Sequence, residues 1–219
     1  MAAKQHTRRE RWWKLGFVAV IVVGVPWLFL KTVRDALSEP YVIDEAALSG
    51  WTLVLTEPAQ PAIALLALQP PGQLPDELFQ QLFLRTMASM TAPGLPTMPV
   101  VLQSEYLGSL HTVLSPEEIL EVARQAGLED AKLGPVCLGV KREPDAGRTR
   151  QLFFALFEAP AFSRFRLELA RLYEARGGSD PFDPTALDPV LPIAASDAGF
   201  ARWWPIEVNR DTDCQAPLT

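Results

Sequence analysis

The sequence predicts an α+β protein: an N-terminal transmembrane helix followed by a two-lobed domain of mixed or antiparallel sheets with helices packed on them. Three observations carry this. Leu15 to Leu30 is a charge-free apolar run, the only long one in the chain. The remainder alternates short β-patterned stretches with apolar stripes at helical spacing. That alternation runs through nearly the same order twice.

The apolar run comes first. Its 16 residues span roughly 24 Å as a helix, slightly short of a bilayer core of about 30 Å. The flanks complete it. Trp12 and Trp13 precede it and Trp27 lies near its other end, where indole rings favour the membrane–water interface. Lys14 and Lys31 can lay their stems along the helix and keep their ammonium groups at the headgroups. Pro26 removes one backbone bond and is expected to kink the outer third. Lys4, Arg8, Arg9, Arg11 and Lys14 precede the run, whereas Lys31 and Arg34 follow it beside Asp35 and Glu39. The positive-inside rule then places the N-terminus in the cytoplasm and residues 40–219 outside, in the manner of a single-pass protein of a bacterial inner membrane with a periplasmic domain. A cleaved signal peptide needs small residues before its cleavage site. Arg34 occupies that position before Ala36, so the run reads as an uncleaved signal anchor.

The chain divides accordingly into a basic tail (1–11), the anchor (12–33), a connector (34–49), the α+β domain (50–209, lobes about 50–130 and 131–209) and a C-terminal tail (210–219). The parts beyond the anchor total about 180 residues, enough for one core or two small lobes. Net charge is −6, and the cations gather at the N-terminus. The outer domain is therefore more acidic than the whole, which excludes nucleic acid as a partner class, since a phosphate backbone selects a basic face.

Along the domain, Trp51–Leu55 and Ala62–Leu68 read as strands, the second apolar enough to be buried on both faces. Leu78, Phe79, Leu82, Phe83, Met87 and Met90 make one face of a helix from about Pro75 to Met90. Val100–Tyr106 reads as a third strand. Ser115-Pro116-Glu117-Glu118 is a helix start, with Ser as N-cap, Pro at the first position and Glu three residues after the cap. Gly127 ends that helix. Lys132–Lys141 and Arg150–Glu158 read as strands joined by a turn at 143–147. Pro160 opens a helix to about Arg176, with Phe162, Phe165, Leu169, Leu172 and Tyr173 inward. Val190–Ala195 is a last core strand, and Ile206–Val208 a short edge strand.

Each half thus reads strand, strand, helix, strand, and the third strands look alike: Pro99-Val100-Val101 and Pro189-Val190-Leu191. Over roughly residues 50–200 this order resembles the two-lobed fold of the two-histidine phosphoesterases, the RNA ligase-like cyclic phosphodiesterases. The resemblance implies a groove between the third strands, where that family carries His-x-Thr in each lobe. Here Pro99 and Val101 occupy the first motif and Val190 and Pro192 the second. None of these side chains moves a proton, so the resemblance implies a relative without the family's catalysis.

Other chemistry is sparse. His111 sits in a loop before a helix cap without an identifiable orienting partner, and His6 lies in the basic tail. Asp180, Asp183 and Asp188 gather carboxylates in one loop but lack calcium-loop spacing; they read as turn formers, and Asp211 and Asp213 are weaker candidates still. The chain carries no Gly-rich phosphate loop, Gly-x-Ser-x-Gly, Cys-x-x-Cys or His-Glu-x-x-His. No cofactor or metal is called for, and the balance leans away from an enzyme. Cys137 and Cys214 either bridge, as an oxidising compartment favours, or remain two unrelated thiols. Trp203-Trp204-Pro205 either buries in the core or faces a protein partner. The resulting expectation is a membrane-anchored, non-catalytic accessory or scaffold protein that binds another protein. The alternatives are a phosphoesterase-like hydrolase and a small-ligand or lipid-binding module in the groove between lobes.

Overall fold

The computed structural model describes residues 20–58, 63–94, 96–145, 147–198 and 207–219. The chain forms two compact units, 1–39 and 40–219.

In the first unit a π-helical turn, Val20–Gly24, leads into α1 (Val25–Ser38), with Pro26 at the start of the regular helix. A proline lacks the N–H that an α-helix needs four residues on, and the wider turn lies where that bond is missing. The irregularity therefore precedes Pro26. Val22, Val23, Val25, Leu28, Phe29 and Leu30 are all exposed. The Lys31 ammonium lies 5.8 Å from the centre of the Trp27 ring. Among the described residues no helix is long and apolar enough to cross a membrane. Residues 12–19 of the expected anchor, with Trp12, Trp13 and Lys14, lie outside the described residues.

The second unit is α+β with antiparallel sheets. Strands β1 (Thr52–Leu55), β2 (Ala64–Gln69) and β3 (Met98–Leu102) form one sheet in the order β1-β2-β3. Strands β4 (Gly134–Asp145), β5 (Arg148–Glu158), β6 (Val190–Ala195) and β7 (Cys214–Pro217) form the other, in the order β6-β5-β4-β7. The helices are α2 (Leu74–Thr86), α3 (Gln103–Gly108), α4 (Pro116–Gln125), α5 (Pro160–Ala175) and the single turn α6 (Arg210–Asp213). In each half the second strand is central and a helix crosses from it to the third, so the repeated order in the sequence is a repeated topology.

The burial explains the sequence patterns. Leu152, Phe154 and Leu156 of β5 pack in a small cluster on one face of the sheet. Phe153, Ala155 and Phe157 face the main core. A strand buried on both faces reads as a continuous apolar run. Gly139 of β4 lies against the Phe154 ring, where a Cβ would collide with the ring carbons. Trp51 is buried against Phe157 across the core, ring centres 5.6 Å apart, and donates from its indole N–H to the Ala47 carbonyl at 3.0 Å.

Four expectations are corrected. The third strand ends at Leu102, and residues 103–108 are helical, because Glu105 reaches back to accept the Leu102 N–H at 2.8 Å. The first long helix stops at Thr86, where Met87 turns left-handed at φ 50°. The β4–β5 hairpin extends to Asp145 and Arg148, absorbing most of the expected turn, with Gly147 at φ 83°. Residues 40–49 of the expected connector and the C-terminal tail belong to the second unit, whereas 34–38 continue α1. Tyr41 and Ile43 are buried, and the tail contributes β7, whereas Val208 lies outside any strand. The two segments meet: Tyr41 N–H donates to the Pro217 carbonyl (2.9 Å), Thr219 N–H to Tyr41 (2.8 Å) and Ile43 N–H to Thr219 (2.7 Å).

Candidate interaction surface

The resemblance implies a groove between β3 and β6. Pro99 and Val101 of β3 and Val190 and Pro192 of β6 are all buried. The two halves are joined there instead: Thr91 and Ala195 exchange backbone bonds at 2.8 and 2.9 Å.

Behind β3 lies a group that the sequence reading passed over. Arg166 of α5 is fully buried. Its guanidinium donates to both Glu105 oxygens (2.6 and 3.2 Å) and to the carbonyls of Val100 (3.0 Å), Asp183 (2.7 Å) and Pro184 (2.9 Å). All five N–H donors are used, in the fork geometry that suits a carboxylate. The Phe182 ring lies 5.0 Å away. A fully satisfied buried charge is a fixed joint rather than a reactive group, and it ties α5, β3, α3 and the 183–184 loop together. Its signal was an arginine inside the stripe Phe162, Phe165, Leu169; its partner was hidden in residues read as strand.

Two of the three loop carboxylates considered for metal accept local hydrogen bonds. Asp183 accepts from the Thr185 hydroxyl and N–H, both at 2.7 Å, and these bonds hold its carboxyl below the usual range. Asp188 accepts from the Val208 N–H at 3.2 Å. Among the described residues no group of three or more His, Cys, Asp or Glu is placed to hold an ion. His111 is exposed, with Nδ1 3.2 Å from the Tyr106 carbonyl.

A recess of about 300 Å³ lies where α2 begins, walled by Pro70, Pro75, Pro93 and Pro96 with Gln69 and Asp76. That is the lower end of ligand-pocket volumes.

The other end of α2 is apolar and exposed. Leu74, Leu78 and Leu82 fill the core. On the outer face of the last turn Phe83 is 43% exposed, Leu84 71% and Met87 74%. Val42, 65% exposed, is held against the same helix, because the Gln81 side chain accepts the Val42 N–H (3.0 Å) and donates to its carbonyl (2.8 Å).

Cys137 and Cys214 are bridged, with Cα atoms 5.7 Å apart, and the bridge joins β4 to β7. Lys141 donates to the Asp213 carboxylate (3.1 Å) and to the Glu207 carbonyl (2.8 Å). Ser196 N–H donates to Gln151 (2.8 Å). These contacts hold Ser196 and Glu207 to the second sheet. Trp203 and Trp204 lie outside the described residues.

Compared with protein-family models, curated proteins and solved structures, the chain matches none.

Proposed function

We propose that this chain is a membrane-anchored, non-catalytic accessory or scaffold protein. Its α+β domain lies outside the cytoplasm and binds another protein as part of a membrane complex. One observation carries the reading: the Cys137–Cys214 bridge. Structural disulfides persist in oxidising compartments and are rare in the cytosol, so the bridge agrees in sidedness with five cations before the apolar run. Residues 12–33 act as the anchor in a bacterial-type inner membrane, with Trp12, Trp13, Lys14, Trp27 and Lys31 at its interfaces and the basic tail in the cytoplasm. Trp203 and Trp204 serve as the partner-facing anchors, since large rigid aromatics supply most of the energy at protein interfaces. Neither nucleic acid nor a cofactor enters this reading. The hydrolase alternative draws no support from the buried Pro99, Val101, Val190 and Pro192.

The test is capture of the tagged full chain from native membranes in mild detergent. A stoichiometric protein partner is expected, with at least tenfold less of it on a Trp203→Ala/Trp204→Ala double variant that melts like the wild type. Tenfold corresponds to about 1.4 kcal/mol, below the usual loss for a hot-spot residue. Recovery of the chain alone across several detergents refutes the function.

A further inference from the structure

The exposed large apolar side chains of the body are concentrated. Seven are found among its described residues: Val42, Ile63, Phe83, Leu84, Met87, Leu107 and Leu167. Three of the seven, Phe83, Leu84 and Met87, sit at the end of α2, and a fourth, Val42, is held to Gln81 of the same helix. The outer face of this helix changes character along its axis. Its first turns expose Asp76, Glu77 and Gln80, and its last turn exposes Phe83, Leu84 and Met87. From Glu77 to Leu84 is about 10 Å at the helical rise, so one end is acidic and the other greasy.

The greasy end is where the chain enters the body. The Arg85 guanidinium donates to the Pro40 carbonyl at 2.8 Å and lies 3.9 Å from the centre of the Tyr41 ring. Nine residues, 31–39, separate the apolar run from Pro40. They reach about 14 Å if wholly helical and about 30 Å if extended. If the run spans a bilayer, Pro40 and the side chains around it are held within that distance of lipid, whatever the helix does.

The size of the patch selects its occupant. A stable protein interface buries about 800 Å² on each side, more than four partly exposed side chains supply. A tethered surface needs less, because a short tether converts a weak contact into an intramolecular one at high effective concentration. Phe, Leu and Met beside an Arg suit the boundary between acyl chains and anionic headgroups. We infer that the last turn of α2 and Val42 rest in the headgroup–acyl boundary of the membrane that holds the anchor, fixing which side of the body faces away. This rests on the anchored reading above.

The test uses the full chain, with its native bridge formed, in phosphatidylcholine–phosphatidylglycerol vesicles. A nitroxide is attached to one added cysteine at a time: Leu84→Cys, Asp76→Cys and Leu28→Cys. Collision rates with oxygen, which partitions into lipid, and with a nickel chelate, which stays in water, report depth. Labels at 28 and 84 are expected to collide more with oxygen than with the chelate, and the label at 76 the reverse. A lipid-like label at 28 with a water-like label at 84 overturns the inference and leaves the anchor standing. Water-like labels at both positions remove the anchor and the inference together. A label at 84 shielded from both probes means that protein covers the patch, which also overturns it.

Discussion

Glu105→Gln tests the joint that holds the body together. The substitution keeps the side-chain shape and one acceptor oxygen. It removes the carboxylate to which Arg166 donates and turns an amide NH2 toward donors from which Glu105 now accepts, Leu102 N–H among them. Removing one partner of a buried pair costs about 3–5 kcal/mol, mostly because the remaining charge is left uncompensated. Arg166 is fully buried, but the Glu105 side chain is 16% exposed, so water can partly replace it and the low end, about 3 kcal/mol, applies. For a body of this size 1 kcal/mol moves the melting midpoint by about 2–4 °C, giving a fall of about 6–12 °C. Adding Arg166→Met removes the stranded charge but orphans the carbonyls of Val100, Asp183 and Pro184. The double variant therefore stays below the wild type, yet loses less than the sum of the two single losses. A coupling of about 1–3 kcal/mol is expected. The assay is urea unfolding of the full chain in detergent, followed by circular dichroism, for the wild type, both single variants and the double. Additive losses, or a Glu105→Gln loss below about 1 kcal/mol, would show that the guanidinium and carboxylate are not coupled in the folded protein.

Two further outcomes follow from the second sheet. The bridge spans 77 positions, so Cys137→Ser/Cys214→Ser should lose on the order of 4 kcal/mol in the chain-entropy view; thermal melts that coincide with and without reductant would contradict this. Burial raises the Asp213 carboxyl, but the Asn209 N–H and the Lys141 ammonium outweigh it and hold it below the usual range. A depressed folded value stabilises above the unfolded value, near pH 4, and that stability is lost as pH falls through the folded value. Asp213→Asn should therefore melt below the wild type at pH 7 and converge with it in acid, whereas a gap that persists at pH 2–3 would assign the loss to packing.

What the sequence revealed divides by the range of the interactions responsible. The start of α4 was legible because its signal is local: Ser115 and Glu118 exchange the two capping bonds, at 2.9 and 3.2 Å, within four residues. The strand β5 was legible because burial on both faces leaves an unbroken apolar run. The end of β3 was not, since Val, Leu and Tyr suit a strand until Glu105, held by Arg166 sixty-one residues away, closes a helical turn. β7 was missed for a related reason. Cys-Gln-Ala-Pro has neither the length nor the alternation of a strand, and it becomes one only because β4 offers an edge. Tyr41–Ile43 is three residues of period two, too few to separate from a connector, and its partners are 176 or more positions on.

Those long-range closures converge. Residues 41–43 pair with 217–219, and β7, which includes Pro217, is bridged to β4 through Cys214. The disulfide thus does not merely tidy a tail. It fixes the strand on which the first residues of the body are zipped, next to Pro40, where Arg85 also holds the chain. Opening the bridge should loosen Tyr41 and Ile43 before it loosens the main core, because their backbone partners lie on the released segment, whereas Leu66, Phe157 and Phe165 are held both by the main core and by the backbone bonds of β2, β5 and α5. Early amide exchange at residues 41–43 in reduced protein, with β2 and β5 still protected, is the pattern this arrangement requires. Exchange that begins instead in β5 would mean that the sheet, not the strap, depends on the bridge.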